Sequence, residues 1–210
     1  VDKSAAVVAV FRWMEEGVGC LLVKRRMAED DPWSGQVAFP GGRRKEWESN
    51  LIETARRELE EEVGLKLGDE VKLLGAMGDI ATTNPPILRV RPYIGVLDTT
   101  TEVRMGDELA AGMWLPLRSL RRSIRKVNIR GRGLVQVQAF VFGDEVIWGL
   151  TAKMLLRMFE VLEPLPESSK EVERPPGTPQ SGSGTDEPSQ TIRGFPDGLR
   201  GFLSARLFSL

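Results

Sequence analysis

Between Gly41 and Leu65 the chain reads GGRRKEWESNLIETARRELEEEVGL, and no other stretch restricts the fold so tightly. Two glycines lead through a polar loop into a run with helical period. Asn50 can cap that helix, Glu53 three residues on completes a capping-box-like pair, and Gly64 can close it in a left-handed turn. At about 100° per residue, Ile52, Leu59 and Val63 share an apolar stripe, and Glu58, Glu61 and Glu62 form an adjacent ridge at i, i+3 and i+4. Like charges at these spacings weaken a helix unless something positive sits among them. Arg56 or Arg57 could be that partner, and so could a divalent cation, since hard cations bind through a few carboxylates plus substrate phosphates. The other reading is a solvated Glu/Arg face, the usual state of a charge run. The ridge by itself leaves both open.

What the chain lacks narrows the chemistry. It has no histidine, which removes Ser-His-Asp and Cys-His nucleophile schemes and every histidine-containing zinc site. Carboxylates, Lys/Arg, Tyr and metal-bound water remain. The 29 basic residues against 30 acidic give no polycationic footprint for nucleic acid, so a nucleotide-like ligand must be held locally. Cys20, the only cysteine, lies in the apolar run VGCLLV and reads as a buried strand residue with no disulfide partner in the chain. No basic-then-apolar signal pattern opens the sequence and no apolar run approaches bilayer length, so the expectation is a cytoplasmic protein without a membrane partner.

Along the chain, Ser4 to Trp13 and Val18 to Lys24 read as strands joined at Glu15-Glu16-Gly17. After the central helix, Val71 to Ile80 and Ile87 to Leu97 read as strands broken at Asn84-Pro85-Pro86, which leaves Ala81-Thr82-Thr83 in a loop. Met113 to Leu117 reads as a short strand running into a brief helix over Leu120. Val127 to Arg130 and Leu134 to Phe142 form a second hairpin around Gly131-Arg132-Gly133. A helix opens at Trp148-Gly149-Leu150-Thr151, with Thr151 as a cap, and carries Met154, Leu155, Met158 and Leu162 as an apolar stripe. The division is then a domain over 1–162, a Pro/Ser/Gly-rich linker over 163–192 and an apolar tail over 193–210 expected to dock on its own domain.

Phe39-Pro40-Gly41-Gly42, a loop, and then Arg57-Glu58-Leu59-x-Glu61-Glu62-x-Gly64-Leu65 resembles the Nudix box of the Nudix hydrolases. The resemblance implies an α+β fold, an α/β/α sandwich on a mixed sheet, and hydrolysis of a nucleoside diphosphate linked to another group. It implies Mg²⁺ or Mn²⁺ held by Glu58, Glu61, Glu62 and the carbonyl of Gly41, with Arg57 orienting the carboxylates. It leaves the general base open between Glu61 and a loop carboxylate such as Glu108. Arg25, Arg43 and Arg44, which flank the glycines, are candidates for gripping substrate phosphates. The implied partner is a small nucleotide-type molecule, and family members are often homodimers.

Counting back from Arg57, the box is one residue longer than its common form, so the early glutamate position falls on Ser49 with Glu48 beside it. That expansion is shared with the coenzyme A pyrophosphatase branch. Ser34-Gly35-Gln36-Val37-Ala38 before the box and Ile147-Trp148-Gly149-Leu150-Thr151-Ala152 after it also resemble that branch, although Asp30 or Asp31 stands where its signature has an arginine. The substrate expected is therefore coenzyme A or acyl-CoA, with ADP-ribose, a dinucleotide or a damaged nucleoside triphosphate as the alternatives. A Nudix-fold binding module without catalysis would be expected to lose box carboxylates, and this chain keeps all three.

Overall fold

The structure, a computed structural model, describes residues 3–27, 35–82, 87–97, 101–129 and 132–162. Its centre is the hairpin of β1 (Ser4–Met14) and β2 (Gly17–Arg25), in register from Phe11 opposite Cys20 to Met14 opposite Gly17. Along β1, Ala5, Ala9 and Phe11 are buried on one side and Ala6, Val8 and Val10 on the other. A strand apolar on both faces must be covered twice. Helix α1 (Leu51–Val63) covers the even-numbered face with Ala55, Leu59 and Val63. Helix α2 (Gly149–Leu162) covers the other with Ala152, Met154, Leu155 and Met158. Leu59 and Val63 are fully buried, each contributing roughly 2 kcal/mol of transfer free energy.

Around the hairpin the sheet is mixed. Strand β7 (Arg89–Leu97) runs parallel to β1, and the other strand-to-strand pairings of this sheet among the described residues are antiparallel. Beyond β2 lies β3 (Val37–Ala38), and beyond β7 lies β5 (Val71–Ala76). Three further strands join the same sheet: β4 (Gly41–Arg43) on β1, β6 (Ile80–Ala81) on β7 and β8 (Leu109–Pro116) on β2. A second sheet of β9 (Arg121–Ile129), β10 (Gly133–Phe142) and β11 (Glu145–Trp148) supports α2, with the Phe140 and Phe159 rings 5.5 Å apart. Lys24 Nζ donates to Glu145 Oε1 at 2.6 Å and ties the two sheets together. The result is the α/β/α sandwich on a mixed sheet that the sequence implied.

Several boundaries differ from the sequence reading. The strand expected from Val71 to Ile80 ends at Ala76 after a register shift between Leu73 and Gly75, and Asp79 leaves the ladder to pair with Arg91 at 2.7 Å. Ala81 lies in β6 opposite Arg89 rather than in a loop. Strand β9 starts at Arg121, where it pairs with Val141, well before Val127; its exposed positions carry arginine and lysine, which hide the alternation. Thr151 is buried inside α2 and does not cap it, since the helix begins at Gly149. Strand β11 was not read from the sequence at all. Asp30, Asp31, Ser34, Thr83, Asn84-Pro85-Pro86, Arg130, Gly131, the linker over 163–192 and the tail over 193–210 lie outside the described residues. Among the described residues no helix is long and apolar enough to cross a membrane.

Candidate active site

Two glycines let strand β4 and helix α1 come together. Gly42 pairs with Ala6 of β1, and a Cβ there would overlap the Glu58 carboxylate. Gly41 takes a φ of 152°, and its Cβ would run into the Ala6 carbonyl. With no side chains in the way, the Gly41 N–H donates to Glu62 Oε2 at 2.9 Å. The helix itself is fixed at both ends: Asn50 Oδ1 accepts from the Glu53 N–H at 3.2 Å, and the N–H of left-handed Gly64 donates to the Glu60 carbonyl at 3.0 Å. The reciprocal bond of the expected capping box is displaced by one residue, with Glu53 Oε2 accepting from the Ser49 N–H at 2.7 Å.

Arg57 is the hub of the carboxylates. Its Nε donates to Glu48 Oε1 at 2.7 Å, its Nη1 to Glu58 Oε1 at 2.7 Å and to Glu61 Oε2 at 2.9 Å, and its Nη2 to the Arg43 carbonyl at 3.1 Å. Burial alone would lower the guanidinium pKa, but the bonds to Glu48, Glu58 and Glu61 outweigh it and raise it. Glu48 is 4% exposed, and its other oxygen accepts from the Lys45 N–H and Thr54 Oγ1, both at 2.7 Å. Burial pushes its pKa up, and the bonds from Arg57, the Lys45 N–H and Thr54 more than reverse the effect, so it sits below the ordinary carboxylate range. Glu48 is thus a fixed anion that holds Arg57, which in turn holds Glu58 and Glu61.

Glu62 is in the opposite condition. It is 7% exposed, with Arg25 Nη1 4.0 Å from its Oε1 and the Gly41 N–H on its Oε2. Burial, with the charges of Glu58 and Glu108 adding to it, pushes its pKa up to about 7 despite Gly41 and Arg25. Burial also raises Glu58, although Arg57 opposes it. Glu108 reaches this neighbourhood because the segment before β8 closes the end of α1: the Arg104 N–H donates to the Val63 carbonyl at 3.1 Å and the Gly106 N–H to the Glu62 carbonyl at 2.8 Å.

Of the residues predicted from sequence, the structure brings Glu58, Glu61, Arg57, Glu62 and Gly41 into one connected group, with Arg25 and Glu108 at its edge. Arg43 ends β4 with an exposed side chain and gives its carbonyl to Arg57. Arg44 is engaged otherwise, its Nε and Nη2 donating to the Glu48 carbonyl at 3.0 and 2.6 Å and closing the loop before α1. As the side chains stand, no three carboxylates among the described residues converge into a metal-binding cluster, because Glu58 and Glu61 each turn an oxygen to Arg57 and Glu62 folds back on Gly41. The donor set nevertheless suits a hard cation. It is all oxygen, and Glu62 in particular is a buried carboxylate with too little positive charge around it to ionise readily. Glu48 is the site residue to which the sequence reading gave no role, placing it only beside the early glutamate position at Ser49. Counting forward from Gly42, instead of back from Arg57, was the signal that would have found it.

The NUDIX domain family profile matches residues 3–136. A protein of Yersinia enterocolitica named "Uncharacterized Nudix hydrolase NudL" is 34% identical over 143 residues, covering 66% of this chain and 71% of that protein. Its namesake in Yersinia pestis is 33% identical over 140 residues, covering 64% and 68%. Among solved structures, a MutT/nudix family protein from Enterococcus faecalis matches with a TM-score of 0.50 at 14% identity, covering 77% of this chain and 62% of that one, a likeness of fold alone.

Proposed function

The chain belongs to the Nudix family and is a Nudix pyrophosphohydrolase of nucleoside diphosphate derivatives, and from that premise we propose that its substrate is coenzyme A or an acyl-CoA. Water would add across the P–O–P bridge to give 3′,5′-ADP and the (acyl-)4′-phosphopantetheine half. The observation that carries this reading is a spacing. The glutamate that holds Arg57 is Glu48, so the extra residue of the box lies between Glu48 and Arg57, where the chain turns into α1. That lengthened box, together with the Ser34–Ala38 and Ile147–Ala152 stretches, supports the coenzyme A branch.

In this reading Glu58, Glu61, Glu62 and the Gly41 carbonyl would hold Mg²⁺ or Mn²⁺. When bound, the cation neutralises charge on the phosphate oxygens and makes a water nucleophilic. The remaining work falls to the chain's own groups. Arg57 keeps Glu58 and Glu61 oriented, and Glu48 keeps Arg57 from swinging into the substrate. Arg25, 4.0 Å from Glu62, and Arg43, exposed at the end of β4, would be the residues that grip the substrate phosphates. The proton released by the attacking water goes to Glu61 or to Glu108.

A product-resolved assay with Mg²⁺ and Mn²⁺ tests this. Coenzyme A should yield 3′,5′-ADP faster than ADP-ribose, a dinucleotide or an oxidised nucleoside triphosphate yields its products. Faster turnover of any of these, or no 3′,5′-ADP, would overturn the coenzyme A assignment.

A further inference from the structure

We propose that Trp47 and Lys45 form a subsite for the nucleobase of the substrate, with Trp47 stacking on the base and Lys45 pairing with the phosphate next to it. The inference rests on reading the neighbouring carboxylates as the pyrophosphohydrolase site.

Trp47 is 73% exposed and belongs to neither core cluster, so folding does not account for it. Yet it sits on a loop held by several hydrogen bonds. Directly after it, Glu48 is held through its carbonyl by Arg44, through one carboxylate oxygen by Arg57, through the other by the Lys45 N–H and Thr54, and through its own N–H by the Lys45 carbonyl at 3.1 Å. A large aromatic surface presented on a rigid frame loses little conformational freedom when a ligand covers it, which favours binding.

Position makes the ligand class specific. Lys45 Nζ lies 5.1 Å from the centroid of the Trp47 ring and 3.9 Å from Glu61 Oε1, so a single ammonium spans the gap between the ring and the carboxylate ridge. Lys45 and Glu61 are both substantially exposed, and an ion pair of this kind is loosely held. Its ammonium can turn to a phosphate without breaking a buried bond. A nucleotide has the matching layout, a flat π surface one sugar away from its phosphate. The aromatic ring takes any base, because every base has a π face.

The test is equilibrium binding of AMP and of ribose 5-phosphate, each with Mg²⁺, measured by calorimetry on the full chain. Trp47→Ala should weaken AMP by roughly tenfold, the loss expected for one stacked base, and leave ribose 5-phosphate unchanged. Trp47→Phe should restore AMP binding to within about threefold of wild type, since a ring is retained. Because Trp47 is exposed, the melting temperature of either variant should match wild type, which separates a binding defect from a folding one. Unchanged AMP affinity in Trp47→Ala, or an equal loss for both ligands, overturns the subsite. Hydrolysis by the wild type is scored separately. A Trp47-dependent affinity for AMP without turnover of any nucleoside diphosphate would uphold the subsite and remove the hydrolytic reading.

Discussion

Two glutamates within one segment show how burial acts in opposite directions according to partners. Glu48 and Glu62 are about equally buried, at 4% and 7% exposure. Glu48 has a guanidinium, a backbone N–H and a hydroxyl on its two oxygens and stays ionised; Glu62 has one N–H and an arginine at 4.0 Å and resists ionisation. Substitution should separate them. Glu62→Gln removes a proposed metal ligand, so kcat should fall at least about a hundredfold, while the melting temperature holds or rises because an under-compensated charge is gone. Glu48→Gln leaves Arg57 Nε without its carboxylate in a largely buried setting and should cost about 3 kcal/mol of stability, read by denaturant unfolding. Its effect on kcat should be smaller than that of Glu62→Gln, because Glu48 acts only through Arg57. Equal losses of activity, or a destabilised Glu62→Gln, would contradict these roles.

At the scale of elements, helix α1 is held by devices that do not touch the chemistry. Asn50→Ala removes the N-cap bond and should cost about 1 kcal/mol. Gly64→Ala puts a Cβ on a residue at φ 69°, beside Arg104, and should cost about 1–2 kcal/mol. Thermal unfolding should report both losses, and kcat measured well below the melting temperature should stay near wild type. Both caps were legible in the sequence because they are local: a side-chain acceptor and a left-handed turn act within a few residues. The ridge of Glu58, Glu61 and Glu62 was legible for the same reason, since helical spacing alone places it. What could not be read depends on distant partners. The Arg104 and Gly106 N–H groups close the carbonyl end of α1 across a long stretch of chain, and nothing near Gly106 announces it. The start of β9 at Arg121 is set by pairing with Val141, and the split between β5 and β6 by the Asp79–Arg91 pair. Glu48 lay between the two cases, since local counting offered it but only the bond to Arg57 identified it.

For the whole molecule, the absence of histidine turns the site into a readable titration. No side chain with an ordinary pKa changes charge between pH 5 and 8, so the dependence of stability on pH in that window reports on shifted groups. Glu62 is the principal one, moved from the usual carboxylate value of 4.5 to about 7 by burial. A carboxyl raised on folding favours the native state while it is protonated. Its contribution is therefore complete below the unfolded pKa and is lost as pH rises through about 7. Glu58, also raised, acts with the same sign. Glu48, lowered, acts with the opposite sign, but its stabilising effect is lost only at pH values below the ordinary carboxylate range, outside the window. In the presence of a chelator the protein should lose roughly 3 kcal/mol between pH 5 and pH 8, seen as a melting temperature lower by roughly 5–10 °C. Adding Mg²⁺ or Mn²⁺ at pH 8 should recover much of that loss, because a cation that binds only the native carboxylates stabilises it by mass action. At pH 5 the same addition should do little, since protons already occupy the acidic group. A melting temperature that climbed from pH 5 to pH 8 without metal would mean that Glu62 is well compensated as it stands. The buried charge would then be no argument for a cation.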